Sequence, residues 1–175
     1  MAGSTTTRKP ATRNADLVLG AAVMAMGLLA GLVYDWSIAV MPALTAADDR
    51  TLVDAMQQTV DNPAFPLTFL AAGALAAVAL VQARRSGSPK TAGWIVAGLA
   101  LYTVAVVVTF AIHVPLNEDI KQAGDPARIE NLAAVRDDFM IPWVAWNIVR
   151  TLAATAAFGA LAWALVLRGR MERAA

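Results

Sequence analysis

Five polar side chains in otherwise apolar stretches have the types needed for chemistry: Asp35, His113, Asn117, Asn147 and Arg150. Arg150 lies well inside a long apolar segment, where a cation is costly unless it is paired or reaches water. Asn147 precedes it by about one helical turn, so the amide and the guanidinium point the same way. An intramembrane Arg favours a functional site. The alternatives are a structural clamp and a side chain that reaches the interface.

These residue types suit proton transfer and the binding of a negative oxygen. His113 could accept a proton, while Arg150 and the amides of Asn117 and Asn147 could stabilise an oxyanion. The alternative for His113 is an ordinary hydrogen-bonded histidine at the interface. Asp35 is the natural counter-ion of Arg150, and a buried pair between them would fix helix register without catalysis.

Composition bounds the class of protein. The 175 residues are 58% hydrophobic, with a mean hydropathy of +0.56, which predicts one integral membrane domain. The absence of cysteine excludes disulfides, thiol nucleophiles and iron–sulfur clusters, and a single histidine argues against haem or zinc sites built on several histidines. We therefore expect no cofactor, no metal and no nucleic acid partner.

The apolar segments predict an all-α fold, an integral membrane four-helix bundle with two amphipathic extramembrane segments on the outer side. Each span is close to the ~20 residues that cross a bilayer. The expected spans are residues 17–41, 65–82, 92–112 and 143–167. The membrane domain would cover residues 16–168, between a disordered cytoplasmic leader, 1–15, and a cytoplasmic tail, 169–175.

Two amphipathic helices are expected to cap the same end of the bundle. The first runs from Thr45 to Val60, with Thr45 as a candidate N-cap. The second opens at Asp125-Pro126, and its inward side chains are Ile129, Leu132, Val135 and Phe139. Pro115 is expected to take Val114 out of the helical conformation and end the third span.

The distribution of Lys and Arg predicts the orientation. Most of them lie in the N-terminal tail, in the turn of residues 84–90 and in the C-terminal tail. By the positive-inside rule, both termini of this multi-pass chain face the cytoplasm from the inner (plasma) membrane. The expected partners are the lipid bilayer, an apolar small-molecule ligand and a second copy through the GxxxG face of Gly27 and Gly31.

Four stretches resemble a known family in their order along the chain. They are Val40-Met41-Pro42-Ala43-Leu44, Ala55-Met56-Gln57-Gln58 with Asn62-Pro63-Ala64-Phe65, Val114-Pro115-Leu116-Asn117 and Trp146-Asn147-Ile148-Val149-Arg150-Thr151. With them the chain resembles the four-span membrane proteins grouped with the anthrone oxygenases, whose bacterial members mostly carry the label domain of unknown function.

The resemblance implies oxidation of a tricyclic anthrone to an anthraquinone by O2 without a cofactor. It also implies that Asn117, Asn147 and Arg150 belong to the site. The family often has Asn at position 113 and His at position 148, where this chain has His113 and Ile148. We expect an oxygenase-like monooxygenase with an outer-end polar pocket for an apolar aromatic substrate. The alternatives are a non-enzymatic membrane binding or scaffolding subunit and a transporter component.

Overall fold

The computed structural model describes residues 10–59 and 62–173, which form seven α-helices and two π-helical segments and contain no strand. The α-helices are α1 (Pro10–Asp35), α2 (Met41–Ala46), α3 (Asp49–Thr59), α4 (Ala64–Arg85), α5 (Pro89–Val108), α6 (Val114–Gln122) and α7 (Leu132–Arg173). The first π segment, Trp36–Val40, joins α1 to α2, and the second, Thr109–His113, joins α5 to α6.

Four helical stretches are long and apolar enough to cross a membrane, which confirms the predicted all-α class. They are Arg13–Ala46, Ala64–Arg85, Pro89–Gln122 and Leu132–Met171. α7 packs against α1 and α5, and α4 packs against the same two helices. Alanines repeated at helical spacing on α4 and α7 are buried between the helices. In a bilayer the hydrophobic effect does not drive helices together, so close packing through small side chains holds them.

The capped end of these helices is formed by α2, α3, α6 and the first turns of α7. A second buried cluster fills it, with Met56, Ile120, Phe139 and Trp143 among its members. The Gln57 side chain ties α3 to the far end of α6, because its Nε2 donates to the carbonyls of Ile120 (2.8 Å) and Gly124 (3.0 Å).

The helix does not end before Pro115, so that prediction is wrong. Val114 keeps helical dihedrals, φ −62° and ψ −50°, and its N–H donates to the carbonyl of Thr109. A π turn accommodates an extra residue, which relieves the clash between a proline ring and the carbonyl four residues earlier. The first π segment precedes Pro42 in the same way. There the N–H of Met41 donates to the carbonyl of Trp36, five residues earlier.

The first predicted amphipathic helix is divided in two, and Thr45 is not its N-cap. α2 ends at Ala46, Ala47 is extended, and Asp48 caps α3 by accepting from the Thr51 N–H (3.0 Å). The Thr51 hydroxyl also donates to the Asp48 carboxylate. The two bonds hold the pKa of Asp48 below its ordinary value of 3.8, and the bond from the hydroxyl is the larger cause. The predicted end of this helix, Val60, lies outside the described residues.

The second predicted amphipathic helix is not separate from the last span. Residues from Leu132 onward are the first turns of α7, which continues through Pro142 to Arg173. Phe139 and Trp143 are both buried in the cluster of the capped end, so packing holds the helix on both sides of Pro142. At about 1.5 Å per residue, α7 is roughly twice as long as a bilayer core is thick.

Both predicted tails are partly helical. α1 begins at Pro10, inside the predicted leader, because Ala15 is buried and Asp16 pairs with Arg168 of α7. The rest of the leader, residues 1–9, lies outside the described residues. Gly27 of the GxxxG face packs against α7 of the same chain, since a Cβ there would lie 3.1 Å from the Phe158 ring. Gly31 faces open space. A homo-oligomer through this face stays a prediction.

Candidate functional site

A cavity of about 370 Å³ lies beneath the capped end, between α4, α5 and α7. Its walls are mostly apolar, with Phe65, Phe69 and Leu70 from α4, Val106 from α5 and Phe110 from the second π segment. Trp36 and Trp143 line it as well. The polar residues of its lining are Thr59, Tyr102, Thr109, His113, Asn117 and Arg150. This is the form of a site for an apolar ligand with a polar group at one end.

His113 lies in this lining as the last residue of the second π segment and is only 1% exposed. Its Nδ1 is 3.3 Å from the Val108 carbonyl. Because a carbonyl only accepts, Nδ1 carries the proton in this contact and Nε2 keeps its lone pair. Nε2 is buried and has no hydrogen-bond partner in the described part of the chain. One ring nitrogen of His113 is therefore left without a hydrogen bond among the described residues.

Arg150 is 4% exposed and is bound to a neutral side chain rather than to a carboxylate. Its Nε and Nη2 both donate to Asn147 Oδ1, at 3.1 and 2.6 Å. The guanidinium carbon also lies 5.6 Å from the centre of the Trp143 ring. Within residues 10–59 and 62–173, no hydrogen bond uses Nη1. A full positive charge with free N–H groups thus belongs to the cavity lining.

Asn147 lies behind Arg150 and is not part of the cavity lining. Its Nδ2 donates to Ser37 Oγ (2.8 Å) and to the Val33 carbonyl (3.3 Å) on the other side. Thr151 Oγ1 donates to the same Val33 carbonyl at 3.0 Å. With its oxygen bound to Arg150 and its Nδ2 to Val33, Asn147 joins α1 to the guanidinium.

Asn117, on α6, brings a further donor to the cavity. Its Oδ1 accepts from Trp143 Nε1 at 3.2 Å, which fixes the orientation of the amide. The Nδ2 group makes no hydrogen bond with the described residues, so it is available to a ligand oxygen. The structure thus brings His113, Asn117 and Arg150 to one cavity.

The expected ion pair between Asp35 and Arg150 does not form. Asp35 is exposed, and none of the ion pairs among the described residues includes it or Arg150. The groups that face α7 here belong to Val33 of α1 and Ser37 of the first π segment. Asp35 is two residues from each of them, so at about 100° per residue it points to the opposite side of the helix.

Two lining residues were missed by the sequence reasoning as site residues. Trp143 contacts three polar residues of the lining, since its ring lies 5.0 Å from that of His113 and 5.6 Å from the guanidinium carbon of Arg150, and its indole binds Asn117. The helical period places Trp143 on the same face as Asn147 and Arg150, and this spacing is the sequence signal that could have identified it as a site residue. Tyr102 forms the floor, and its hydroxyl donates to the Phe69 carbonyl (2.8 Å).

Position 148, where the family often has histidine, lies on the outer surface. Ile148 is exposed and is not part of the cavity lining, so a histidine there would point away from Arg150. The histidine of this chain that does reach the cavity is His113. Among the described residues, no group of three or more His, Asp or Glu side chains could hold a metal ion.

The four apolar helices define the class as a multi-pass membrane protein, and the cavity lies among them. The family model described as Anthrone oxygenase matches residues 56–160, more than half of the chain. The chain therefore belongs to the anthrone oxygenase family. The matched stretch includes His113, Asn117, Asn147 and Arg150. No curated protein and no solved structure matches the chain.

Proposed function

We propose that this protein oxidises an apolar, polycyclic aromatic ketone of the anthrone type with O2, without a cofactor, in the cavity beneath the capped end. One observation carries the proposal. His113, whose Nε2 has no partner among the described residues, and Arg150, whose Nη1 makes no hydrogen bond there, both belong to the lining of the same apolar cavity. A base beside a fixed positive charge is the arrangement that enolate chemistry needs.

The first step is removal of a proton from the ring methylene. His113 Nε2 takes this proton, and the electron pair of the broken C–H bond moves onto the ketone, which becomes an enolate. Arg150 and the Asn117 amide donate hydrogen bonds to the new oxyanion. Because burial excludes water from this site, such donors stabilise the transition state more than they would in water.

The second step is addition of O2 to the enolate carbon. A carbon–oxygen bond forms, one electron pair reduces O2 to a hydroperoxide, and the proton held by His113 completes it. Loss of the remaining methylene hydrogen and cleavage of the O–O bond give the second carbonyl and water. One anthrone and one O2 thus yield one anthraquinone and one water, with no external reductant.

The test is O2 uptake by the purified protein in vesicles that contain 1,8-dihydroxyanthrone, with empty vesicles as the measure of unaided oxidation. We expect one quinone per O2 and a rate that falls about 10²–10⁴-fold in His113→Ala, the usual contribution of a positioned base. Circular dichroism checks that the variant is folded. Equal rates in wild type and variant would reject catalysis and leave the non-enzymatic binding subunit.

We also propose that both termini are cytoplasmic in the inner (plasma) membrane and that the capped end faces outward. Since the chain has no cysteine, single-cysteine variants at Ser88 and Asp125 report the two sides separately. In intact cells, a membrane-impermeant maleimide should label Asp125→Cys and not Ser88→Cys. The reverse pattern would invert the topology.

A further inference from the structure

The cavity is closed toward the capped end. Met56 and Trp143 belong to its lining and also to the buried cluster that fills that end. The two hydrogen bonds of Gln57 hold α3 against α6 above the site. Arg136 of α7 adds a second tie, since its Nη2 donates to the Thr45 carbonyl at 2.7 Å and its Nη1 to Asp49.

The side of the cavity is different, because part of its wall lies on the outer surface of the helices. Leu70 is 67% exposed and Phe110 is 63% exposed, yet both are lining residues. Leu70 belongs to α4 and Phe110 to the second π segment, so the cavity reaches the surface between these two elements.

This lateral slot is bounded on the side away from the capped end. There α4 and α5 come into direct contact, since a Cβ on Gly73 would lie 2.7 Å from the Tyr102 hydroxyl. The bond from Tyr102 to the Phe69 carbonyl fixes this approach. The slot is therefore a local opening, about one helical turn from the floor of the cavity.

The slot lies within stretches that cross the membrane. Leu70 belongs to the candidate span Ala64–Arg85, and Phe110 to the candidate span Pro89–Gln122. At about 1.5 Å per residue, Leu70 is roughly 9 Å along α4 from its first residue. The exposed side chains around the slot are apolar, so they face acyl chains rather than water.

We propose that the ligand reaches the cavity from the bilayer, through the slot between Leu70 and Phe110. The identity of the reaction rests on the proposed function, but the route rests on the walls of the cavity alone. It fixes the substrate class as an uncharged polycyclic aromatic compound that dissolves in lipid. A sugar-linked or carboxylated analogue would not cross the slot, and the ketone oxygen would meet Arg150.

The test uses the absence of native cysteine. The double variant Leu70→Cys/Phe110→Cys is reconstituted in vesicles and bridged with a flexible bismaleimide, which spans the slot. Ala77→Cys/Thr103→Cys is the matched control, because each position is exposed, lies about two turns from its counterpart on the same face and away from the capped end, and is not part of the cavity lining. Two quantities are measured, oxidation of vesicle-bound 1,8-dihydroxyanthrone and quenching of tryptophan fluorescence by 1,8-dihydroxyanthraquinone.

We expect the bridge to slow both oxidation and the onset of quenching by about one to two decades, with the control pair unaffected. Undiminished quenching in the bridged protein would overturn the lateral route. If wild type fails to oxidise the anthrone but is quenched, and the bridge blocks that quenching, the proposed function falls and the route stands. If the quinone causes no quenching in wild type either, no such ring enters and the route is rejected as well.

Discussion

Arg150 and Arg168 lie on the same face of α7, about five helical turns apart, and are almost equally buried. Their partners differ. Arg168 binds the Asp16 carboxylate of α1, whereas Arg150 binds the neutral oxygen of Asn147. A carboxylate cancels the charge of a buried cation, and an amide only orients it. The fold can therefore neutralise an arginine on α7, and it leaves Arg150 uncompensated where the cavity lies.

We expect the largest change in oxidation rate when Arg150, which has no carboxylate partner, is replaced. Arg150→Ala should lower the rate of anthrone oxidation by about 10²–10³-fold, the cost of removing one oxyanion donor. Initial rates of O2 uptake measure it, corrected for unaided oxidation. Arg150→Lys keeps the charge but not the paired donors to Asn147. Its rate should therefore fall between that of the wild type and that of Arg150→Ala. A full rate in Arg150→Ala would remove the distinction between the two arginines.

Removal of the carboxylate partner of Arg168 should affect stability and not the rate. Asp16→Ala leaves a cation that is 6% exposed without its partner carboxylate. Loss of a fully buried partner costs about 3–5 kcal/mol, and we expect roughly 2 kcal/mol because Asp16 is partly exposed. Thermal unfolding in mild detergent measures the loss, and the oxidation rate per folded molecule should not change. A lower rate in this variant would show that the inner ion pair also supports the cavity.

Asn147→Asp would make the two arginines alike. The new carboxylate would neutralise Arg150, and the fold should persist because Thr151 still donates to the Val33 carbonyl. A carboxylate in place of the amide oxygen strengthens the bond to the guanidinium by about 1 kcal/mol, so we expect roughly a fivefold slower oxidation. The unfolding temperature serves as the control. A rate equal to that of wild type would mean that the free charge of Arg150 is unimportant.

The smallest effect is expected at a site that touches neither arginine. Asp48→Ala removes the cap of α3 and should lower the unfolding temperature slightly, with no change in rate. Because folding lowers the pKa of Asp48, its stabilisation is present above pH 3.8 and is lost as the pH falls through the lower, folded value. Unfolding temperatures of wild type and variant should therefore converge below that pH. A difference that persists there would assign the effect to something other than the carboxylate.

The lengths of the apolar segments were enough to predict four membrane-spanning helices. The helical period was enough to place Asn147 and Arg150 on one face of the last helix. The pairing of Asp35 with Arg150 failed because it rested on opposite charge and similar depth in the bundle. Asp35 is two residues from Val33, so at about 100° per residue it points away from α7. Depth along a helix does not fix the direction in which a side chain points.

Pro115 was misread for a different reason. Proline was expected to take the residue before it out of the helical conformation, but Val114 keeps helical dihedrals and a π turn before Pro115 accommodates the ring. No residue type marks such a turn in the sequence. The second π segment holds His113 against the cavity, so the feature that sequence reasoning could not supply is also the one that positions the proposed base.

The most direct test of an uncompensated Arg150 is to mix the protein with 1,8-dihydroxyanthrone in the absence of O2 and record the absorption spectrum. Without O2 the reaction stops at the enolate, which absorbs at longer wavelength than the ketone. We expect wild type to show the enolate band in proportion to its concentration, and Arg150→Ala to show only the ketone. A ketone spectrum with wild type, or an enolate band of equal strength in Arg150→Ala, would contradict the role assigned to this arginine.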